Sequence, residues 1–510
     1  MDPLKKQKLL LIAISAFLSM IFLDQTGVGV TLPRMQLELG LSNLDVQWVM
    51  NAYFFTLSIL LLFSGRLSDY IGSRRLFIIG MSIFLIGSVV CATSQAGWWI
   101  ISGRALQGIG GSMALATYII LLSRCFPVEK RGAALGTSAA FGSLFLSNGP
   151  LIGGLFSELI NWHWIFWVNL PIAAVCIYFT LVSVEKDAPS THHAPFDIPG
   201  LILFIIALGA LIVALMEGPE LGWANHEILL LFLIAIFGFL IFAITELKTR
   251  VPLIQLHLFK NKIFLAGNII LFCTQACAIA MVFWVLWLQY SHGFNPLIAG
   301  LVLLPAGIPY IITSRLGGGW LDKHGPRLPL CTGSSLLLLG NIGIVAAVVL
   351  HSYTILFISM VIYGSGWGML VPCGILTVMA SVKHEQHGTA SGVLNTMRQA
   401  GGALGLAVVG AVIASVMYHK ISVFLSTAFS TSQITFLQVM HLLAGSHQDL
   451  SNLSATQITH LKTTAQIIYN DAFAYGMIAS TLFALVSFIF AVTCLKHGRF
   501  ASLKDLAAAE

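Results

Sequence analysis

Long apolar stretches alternate with short polar breaks along the whole chain. Most stretches hold about twenty residues or more, which is the length of a helix that crosses the hydrocarbon core of a bilayer. The pattern predicts an all-α polytopic membrane protein. Its fourteen candidate spans are residues 9–33, 45–64, 76–94, 98–122, 132–157, 164–184, 198–216, 227–245, 262–290, 296–314, 329–350, 354–380, 389–418 and 468–494.

Composition supports this interpretation. Of the 510 residues, 57% are hydrophobic and 9% are charged, whereas a soluble domain has about 25% charged residues. The first apolar stretch follows Lys5, Lys6 and Lys8, as a secretory signal would, but it runs past Val30 without a small-residue cleavage site. It is longer than the apolar region of a signal peptide. We therefore interpret it as a retained first span.

The positive residues fall mostly on one side of the predicted membrane. With both termini in the cytoplasm, only Arg34, Lys420 and Lys462 of the 26 Lys and Arg residues lie in segments on the outer side. This asymmetry follows the positive-inside rule, and an odd number of spans would destroy it. The net charge of +6 therefore marks cytoplasmic loops, and no nucleic-acid partner is expected.

Two polar segments divide the spans into groups of six, two and six. The first segment, residues 185–197, contains Pro189 and Pro195, and the second covers residues 246–262. We expect an N-terminal six-helix bundle at 1–185, two additional transmembrane helices with linkers at 186–261, and a C-terminal six-helix bundle at 262–510. A long, largely uncharged outer loop is predicted from about 418 to 464, and the sequence assigns it no chemistry.

A loop motif occurs twice, each time after the second span of a six-span group. The two copies are GRLSDYIGSRR at 65–75 and GGWLDKHGPR at 318–327. Glycine lets backbones pack closely, and an aspartate can cap a neighbouring helix and pair with an arginine. One copy could be a tight turn with orientation charges, but two copies indicate duplicated halves with a cytoplasmic latch between them. The latch candidates are Gly65, Asp69, Gly72, Arg74, Asp322 and Arg327, extended by Arg131.

Five further motifs lie in the spans or at their ends. They are LDQTGVGVTLP at 23–33, RALQGIG at 104–110, GPLIGG at 149–154, WHWIFWVNLP at 162–171 and NTMRQAGG at 395–402. Together with the loop motif they resemble the fourteen-span drug:proton antiporter family of the major facilitator superfamily. The resemblance implies two pseudo-symmetric six-helix bundles plus two additional helices, with both termini cytoplasmic. It also implies a multi-pass protein of the cell inner membrane that exports small molecules as protons enter.

Asp24 is the acidic residue that the pattern places well inside a span, with Asp471 as the runner-up at the start of the last span. An ionisable group at membrane depth costs several kcal/mol and usually marks a pathway or a proton relay. We expect Asp24 to carry protons, and the alternative is a structural carboxylate bonded to a neighbouring helix. The resemblance implies that Arg104, with Gln107, lies near the first span and influences proton release. Burial and a nearby cation act on the acid in opposite directions.

The remaining candidates concern the cavity and the hinge. Gln107, Asn148, Arg398 and Gln399 are assigned to a substrate cavity, although Arg398 and Gln399 could instead only tie helices together. Proline removes a backbone hydrogen bond and glycine permits close helix contact. Gly149, Pro150 and Gly153 are therefore candidates for a hinge or seal that takes part in the conformational switch, and the alternative is a packing kink.

These patterns favour a proton-coupled secondary transporter that works by alternating access and exports small amphiphiles. The cargo would be a drug-like compound or an endogenous metabolite such as a siderophore. The alternatives are a lipid or metabolite transporter with different coupling, or a channel. An enzyme is disfavoured because the fifteen His show no HExxH pattern and the eight Cys form no CxxC pair. We expect no cofactor or metal, and partners limited to substrate, protons and lipid. The working unit is expected to be a monomer, and accessory envelope components stay an open question.

Overall fold

The computed structural model describes residues 2–187, 197–249, 252–383, 386–428, 434–446 and 453–495. These residues form α-helices joined by short connections and one 3₁₀ turn, Leu256–Lys260. The helices are α1 Pro3–Leu39, α2 Asn43–Ile71, α3 Ser73–Ala92, α4 Gly97–Cys125, α5 Val128–Leu159, α6 Trp164–Trp167, α7 Asn169–Ser183, α8 Ile198–Leu221, α9 His226–Lys248, α10 Lys262–Tyr290, α11 Pro296–Val302, α12 Leu304–His324, α13 Arg327–Val349, α14 Tyr353–Ala380, α15 His387–Ala428, α16 Phe436–Ala444 and α17 Ala455–Cys494.

The number of spans agrees with the sequence prediction. In the described residues, 13 helices or helix pairs are long and apolar enough to cross a membrane, and α11 with α12 forms one further span that is bent by 40°. The bend lies where Pro305 cannot donate a backbone hydrogen bond, so the helix breaks at Leu303. The protein is therefore an all-α polytopic membrane protein with fourteen spans when the bent pair counts as one.

Glycines set the close helix contacts that position α4. A methyl group added at Gly87 of α3 would lie 2.7 Å from the backbone nitrogen of Gln107, and one added at Gly108 would lie 2.5 Å from the Tyr53 carbonyl oxygen of α2. Small residues allow such approaches between membrane helices. As a result, the polar side chains of α4 reach across to both neighbouring helices.

The predicted outer loop at 418–464 is largely helical, so that part of the prediction is wrong. Helix α15 has 42 residues and α17 has 40, and at about 1.5 Å per residue each is roughly twice as long as the bilayer core is thick. The short helix α16 packs against α1, α10, α15 and α17, and Tyr418 stacks on Phe436 with ring centroids 3.9 Å apart. The hydropathy pattern does not predict these helical extensions because they contain many uncharged polar residues. Residues 429–433 and 447–452 lie outside the described chain.

The two six-span groups meet at their outer ends. We call α1–α7 the first block and α10–α17 the last block. Gln289 donates to the Val30 carbonyl at 3.0 Å, and the Tyr290 hydroxyl donates to Gln36 at 2.5 Å. Both bonds join α1 to α10 near the ends that the charge pattern places outside.

Helices α5, α11 and α12 extend this outer closure through glycines. A methyl group at Gly300 would lie 2.6 Å from the Pro150 carbonyl oxygen, and one at Gly307 would lie 2.8 Å from that of Ser147. At the opposite ends, the space beside Gly136 of α5 and Gly318 and Gly319 of α12 is open. The contacts at the outer ends of α1, α5, α10, α11 and α12 therefore close the cleft on that side, whereas these three glycines make no close contact at the opposite ends.

Helices α8 and α9 pack on each other, and α8 also contacts α2 and α15. Two carboxyl groups, Asp197 and Glu246, are buried where they meet, with 7% and 3% exposure. Asp197 accepts from the Gly200 nitrogen at 2.9 Å and Glu246 accepts from the Ile254 nitrogen at 2.9 Å, whereas Asp197 Oδ2 and Glu246 Oε1 have no hydrogen-bond partner among the described residues. The sequence pattern, which placed both residues in polar linkers, missed this pair. Residues 188–196 of the first linker lie outside the described chain.

Candidate functional site

The Asp24 carboxylate and the Arg104 guanidinium form an ion pair inside the first block. The side chains of both residues have 0% exposure, and one Arg104 nitrogen, Nη1, donates to Asp24 Oδ2 and, at 2.8 Å, to Gln107 Oε1. Asp24 lies on α1 and Arg104 on α4, so the pair links two helices that are distant in sequence. A buried charge at membrane depth needs such a partner, and the predicted proximity of these two residues is confirmed.

Gln107 extends the pair into a polar network. Its amide nitrogen donates to Asp24 Oδ1 at 3.3 Å and to the Ser88 hydroxyl of α3 at 2.9 Å. Asn169, at the start of α7, donates to the same hydroxyl at 3.3 Å. The network therefore joins four helices of the first block. A change in the charge of Asp24 alters the hydrogen bonds that link all four.

The Arg104 guanidinium also contacts helix α2. Arg104 Nε donates to the Val49 carbonyl at 2.9 Å, and its Cζ lies 4.4 Å from the centroid of the Tyr53 ring. Arg104 Nη2 has no hydrogen-bond partner among the described residues. Gln25, the neighbour of Asp24, lines the cleft between the blocks, and neither its amide nor the Tyr53 hydroxyl has a hydrogen-bond partner among the described residues. Tyr53 therefore packs directly on the ion pair, and Gln25 is the neighbour of Asp24 that reaches the cleft.

Helices α1 and α5 pack through the predicted hinge. A methyl group at Gly149 would collide with the Thr26 hydroxyl, and one at Gly153 would collide with the Gly27 carbonyl. Gly154 faces the backbone of Pro296 in the same way. The predicted close contacts at Gly153 and Gly154 are confirmed, and they form a small-residue seam typical of membrane helix pairs. The hinge role of these residues stays a prediction.

Thr26 also compensates for Pro150. Proline has no backbone N–H, so the Leu146 carbonyl, one turn earlier in α5, loses its helical donor. The Thr26 hydroxyl lies 3.2 Å from that carbonyl oxygen and 3.1 Å from the Phe22 carbonyl of its own helix. The Thr26 hydroxyl therefore donates to the Leu146 carbonyl, which would otherwise lack a hydrogen-bond donor in the wall of the cleft.

Replacing Thr26 by Val should destabilise the protein by about 1 kcal/mol, because the isosteric side chain leaves the Leu146 carbonyl without a donor. The same change in a Pro150→Ala background should cost clearly less, since the alanine N–H supplies the missing bond. Thermal unfolding of the four proteins in detergent measures this double-mutant cycle. An equal loss from Thr26→Val in both backgrounds would show that Thr26 does not act through Leu146.

Not all the proposed cavity residues line the cleft. Its wall includes Gln25, Thr26 and Ser147 among mostly apolar side chains, which are Leu146, Pro150, Ala278, Ile279, Met281, Val282, Val285, Gly307 and Trp367. Gln107 is fully buried beside Asp24, and the Asn148 amide donates to the Leu144 carbonyl of its own helix at 2.9 Å. Neither belongs to this wall in the present conformation.

Arg398 and Gln399 lie on α15, where the blocks face each other. Arg398 is 8% exposed and Gln399 3%. Arg398 Nε donates to Gln275 Oε1 of α10 at 3.0 Å, and its guanidinium lies over the Phe22 ring of α1, with Cζ 5.6 Å from the centroid. Arg398 therefore touches both blocks.

The first loop motif is organised by an acid that the sequence pattern did not single out. Asp187, after α7, accepts from the backbone nitrogens of Arg74 and Arg75 at 3.3 and 3.0 Å and from the Arg124 side chain at 2.5 Å. It thereby occupies the N-terminus of α3, which begins after Gly72. The expected capping is thus carried out by Asp187, whereas Asp69 is exposed at the end of α2.

The other latch candidates are held within their own blocks. Arg74 donates to the Leu181 carbonyl at 2.8 Å, and Arg131 donates to the Phe126 carbonyl at 3.1 Å. Gly65 has open space beside it, and Arg327 begins α13. The side chain of Asp322 lies outside the described part of the structure. The described hydrogen bonds of Arg74 and Arg131 stay within the first block, so the latch between the blocks stays a prediction.

Asp187→Asn should lower the stability of the protein by about 2 kcal/mol at neutral pH, because a charge-assisted bond and a helix-terminus interaction are lost. Burial disfavours the Asp187 carboxylate, but the Arg75 N–H, the Arg124 guanidinium and the Arg74 N–H together hold its pKa below the usual value. The unfolded carboxyl titrates near about 3.9. The stability difference between wild type and variant is therefore complete above that value and shrinks as pH falls below it.

Unfolding midpoints of both proteins across this pH range measure the effect. Glu185→Gln is a matched control, since Glu185 pairs with Lys6 at the surface with 88% of its side chain exposed, and its effect should be small. A difference for Asp187→Asn that grows as the solution is acidified would contradict the assignment.

The runner-up acid, Asp471, is not buried. Its carboxylate pairs with Lys420 at 2.7 Å, and 46% of its side chain is exposed. The pair joins α15 to α17 near their outer ends. Asp471 therefore stays in contact with water, unlike an acid that is buried at membrane depth.

The sequence profile of the Major Facilitator Superfamily matches residues 12–406. The chain is 32% identical over 414 residues to the multidrug resistance protein Stp of Mycobacterium tuberculosis (strain CDC 1551 / Oshkosh), which covers 81% of this chain and 76% of that protein. It is 30% identical over 414 residues to the multidrug transporter protein MdtP of Bacillus subtilis (strain 168), covering 80% and 76%.

A third relative has a different named cargo. The riboflavin transporter RibZ of Clostridioides difficile (strain 630) is 30% identical over 406 residues, which cover 79% of this chain and 87% of that protein. Among solved structures, a bacterial homologue of the human lysosomal transporter Spinster, in an inward-facing and unoccupied conformation, superposes with a TM-score of 0.65 at 17% identity over 98% of both chains. This likeness concerns the fold alone.

Proposed function

The chain belongs to the major facilitator superfamily of membrane transporters, and from this premise we propose that it exports small amphiphilic molecules in exchange for protons. We place it in the cell inner membrane with both termini in the cytoplasm, as the charge pattern predicts. Its multidrug relatives favour export, and RibZ favours a single metabolite as cargo. The exchange would proceed by alternating access of the cleft between the two blocks.

The buried Asp24–Arg104 pair is the observation that supports proton coupling. A deprotonated Asp24 balances the positive charge of Arg104. A protonated Asp24 leaves the guanidinium as an uncompensated charge in a low-dielectric site. Proton binding therefore changes the preferred arrangement of α1 relative to α4. Because α1 also packs on α5 and α10 at the outer closure, that change is transmitted to the contacts that close the cleft.

The closed outer side corresponds to the state in which protons leave and cargo enters. The Asp24 carboxylate is fully shielded, so proton exchange with the cytoplasm requires the side chains around it to move aside. The largely apolar cleft wall, with Gln25, Thr26 and Ser147 as its polar groups, suits an amphiphile.

Transport in sealed vesicles tests this function. Cells with and without the protein are first compared for the metabolites that they release and for tolerance to a toxicant panel, which identifies a cargo. Accumulation of that cargo in inverted vesicles should follow an imposed pH gradient and stop when a protonophore collapses it. Movement of cargo that is indifferent to the gradient would favour a channel or a transporter with different coupling.

A further inference from the structure

Arg398 is a second intramembrane cation, and it differs from Arg104 in its partners. Among the described residues, the ion pairs formed by arginine are those of Arg34, Arg104 and Arg124, and Arg398 has no carboxylate within salt-bridge distance. Its one hydrogen bond to a described residue is the bond from Nε to Gln275. The two terminal nitrogens of the guanidinium fork have no such bond.

The surroundings of Arg398 compensate its charge only weakly. The Phe22 ring provides a cation–π contact, and Tyr118 and Tyr310 are the titratable groups that face the guanidinium, from α4 and α12 respectively. An uncompensated guanidinium away from water is costly, and cation–π contacts restore only part of the lost hydration. The site therefore favours an anion that enters from outside the protein.

The location of Arg398 makes such an anion part of the transport cycle. The residue contacts α1 of the first block and α10 of the last block, so a group bound there touches both moving parts. Phe22 of α1 and Tyr310 of α12 provide aromatic rings beside it, and Tyr310 packs against Trp367 of the cleft wall with ring centroids 4.6 Å apart. The site therefore adjoins the wall of the cleft through the contact between Tyr310 and Trp367.

We propose that Arg398 binds an anionic group of the cargo, a carboxylate or a phosphate, whose aromatic or apolar body lies along the neighbouring rings. This inference rests on the proposed transport function and names the class of substrate. The bond from Nε to Gln275 fixes the plane of the guanidinium and leaves the two terminal nitrogens for a bidentate contact, for which arginine is suited. The anion could be part of a soluble molecule or of a lipid headgroup.

A purely structural role for Arg398 predicts something different. If the residue only ties α15 to α10 through Gln275, its removal lowers stability without changing which ligands bind. A test must therefore compare two ligands that differ in charge alone. Salicylate and salicylamide meet this requirement, since both are small aromatic molecules and salicylate is anionic at neutral pH.

Binding is measured with radiolabelled salicylate on the full chain in phosphatidylcholine nanodiscs, with salicylamide as competitor and empty nanodiscs as blank. Wild type should prefer salicylate by about tenfold or more, as expected for a charge-assisted bidentate contact. Arg398→Gln should reduce the preference to about one, and Arg398→Lys should retain part of it. Arg34→Gln, which removes an ion-paired arginine elsewhere, should leave the preference unchanged.

The outcomes separate the possibilities. Equal binding of the two ligands by wild type, or a preference that survives in folded Arg398→Gln, overturns the proposal. Nanodiscs containing phosphatidylglycerol distinguish the source: weaker salicylate binding in them identifies a lipid headgroup as competitor, and unchanged binding identifies a soluble anion. Binding is measured at equal pH on both faces of the nanodisc, so it does not depend on a proton gradient. The preference for salicylate can therefore be present even if proton-driven transport is not observed.

Discussion

Asp24→Asn is expected to abolish transport driven by a pH gradient while leaving cargo binding at least partly intact. The amide keeps the shape of the carboxyl group but cannot load or release a proton. The Asp24 side chain lies deep in the first block and away from the cleft wall, so the cargo site loses no direct contact. Energised efflux should stop, whereas counterflow of cargo down its own gradient should persist.

The variant also leaves Arg104 without its counter-charge, and a broken buried pair typically costs about 3–5 kcal/mol. The double variant Asp24→Asn with Arg104→Gln removes both charges and should recover most of that stability without recovering transport. This comparison separates loss of proton coupling from loss of folding. Asp471→Asn, which changes an exposed pair, serves as the matched control and should transport normally.

Reconstituted vesicles provide the measurement, with cargo binding and gradient-driven accumulation determined on the same preparations. If vesicles with Asp24→Asn still concentrate cargo in response to a pH gradient, the proton site lies elsewhere. If binding is lost together with transport in a protein that remains folded, Asp24 is chiefly a cargo ligand or a structural group.

Gly300→Leu should hold the protein open on its outer side. A methyl group at Gly300 already lies 2.6 Å from the Pro150 carbonyl oxygen and 2.9 Å from the Leu151 Cα. A leucine cannot fit there. The atoms that it would meet belong to the backbone of α5, so no flexible side chain can move away to make room. Because this contact exists only when the outer ends of α5 and α11 meet, the substitution opposes closure. Transport should fall to a small fraction of the wild-type rate.

Crosslinking reports the distribution of states. Cysteines introduced at Gln36 and Tyr290, whose side chains hydrogen-bond across the outer closure, should crosslink in a background without native cysteines and fail to do so when Gly300→Leu is added. Leu301→Ala changes an outward-facing neighbour that is 45% exposed and should leave crosslinking unchanged. Normal crosslinking in the Gly300→Leu protein would contradict the role of this contact.

Much of the fold could be read from the sequence alone. Transfer of a residue into lipid depends on its own polarity, and the sum over about twenty residues decides whether a segment spans the membrane. For that reason the spans follow from local composition. Asp24 and Arg104 were identifiable by the same reasoning, since a charge within an apolar stretch must find a partner, and the structure brings these two together.

Relations between distant segments were not accessible in this way. The sequence pattern assigned helix capping to Asp69, yet the N-terminus of α3 is occupied by Asp187, more than a hundred residues away. The proline at 150 was identifiable as a helix disturbance, but its compensation by Thr26 of another helix was not. Asp197 and Glu246 fell in segments whose polarity indicated linkers, yet both side chains are buried where α8 and α9 meet.

The sequence by itself thus determined the class of protein, the number and order of spans, and the charged residues Asp24, Arg104 and Arg398 that lie within them. Only the tertiary structure decided which hydroxyl serves which carbonyl, which acid caps which helix, and which arginine is left without a carboxylate partner among the described residues. The physical reason is a difference in range. Hydropathy is a local sum over neighbouring residues, whereas hydrogen bonds and ion pairs require specific atoms within about 3 Å, and that distance is set by helix packing.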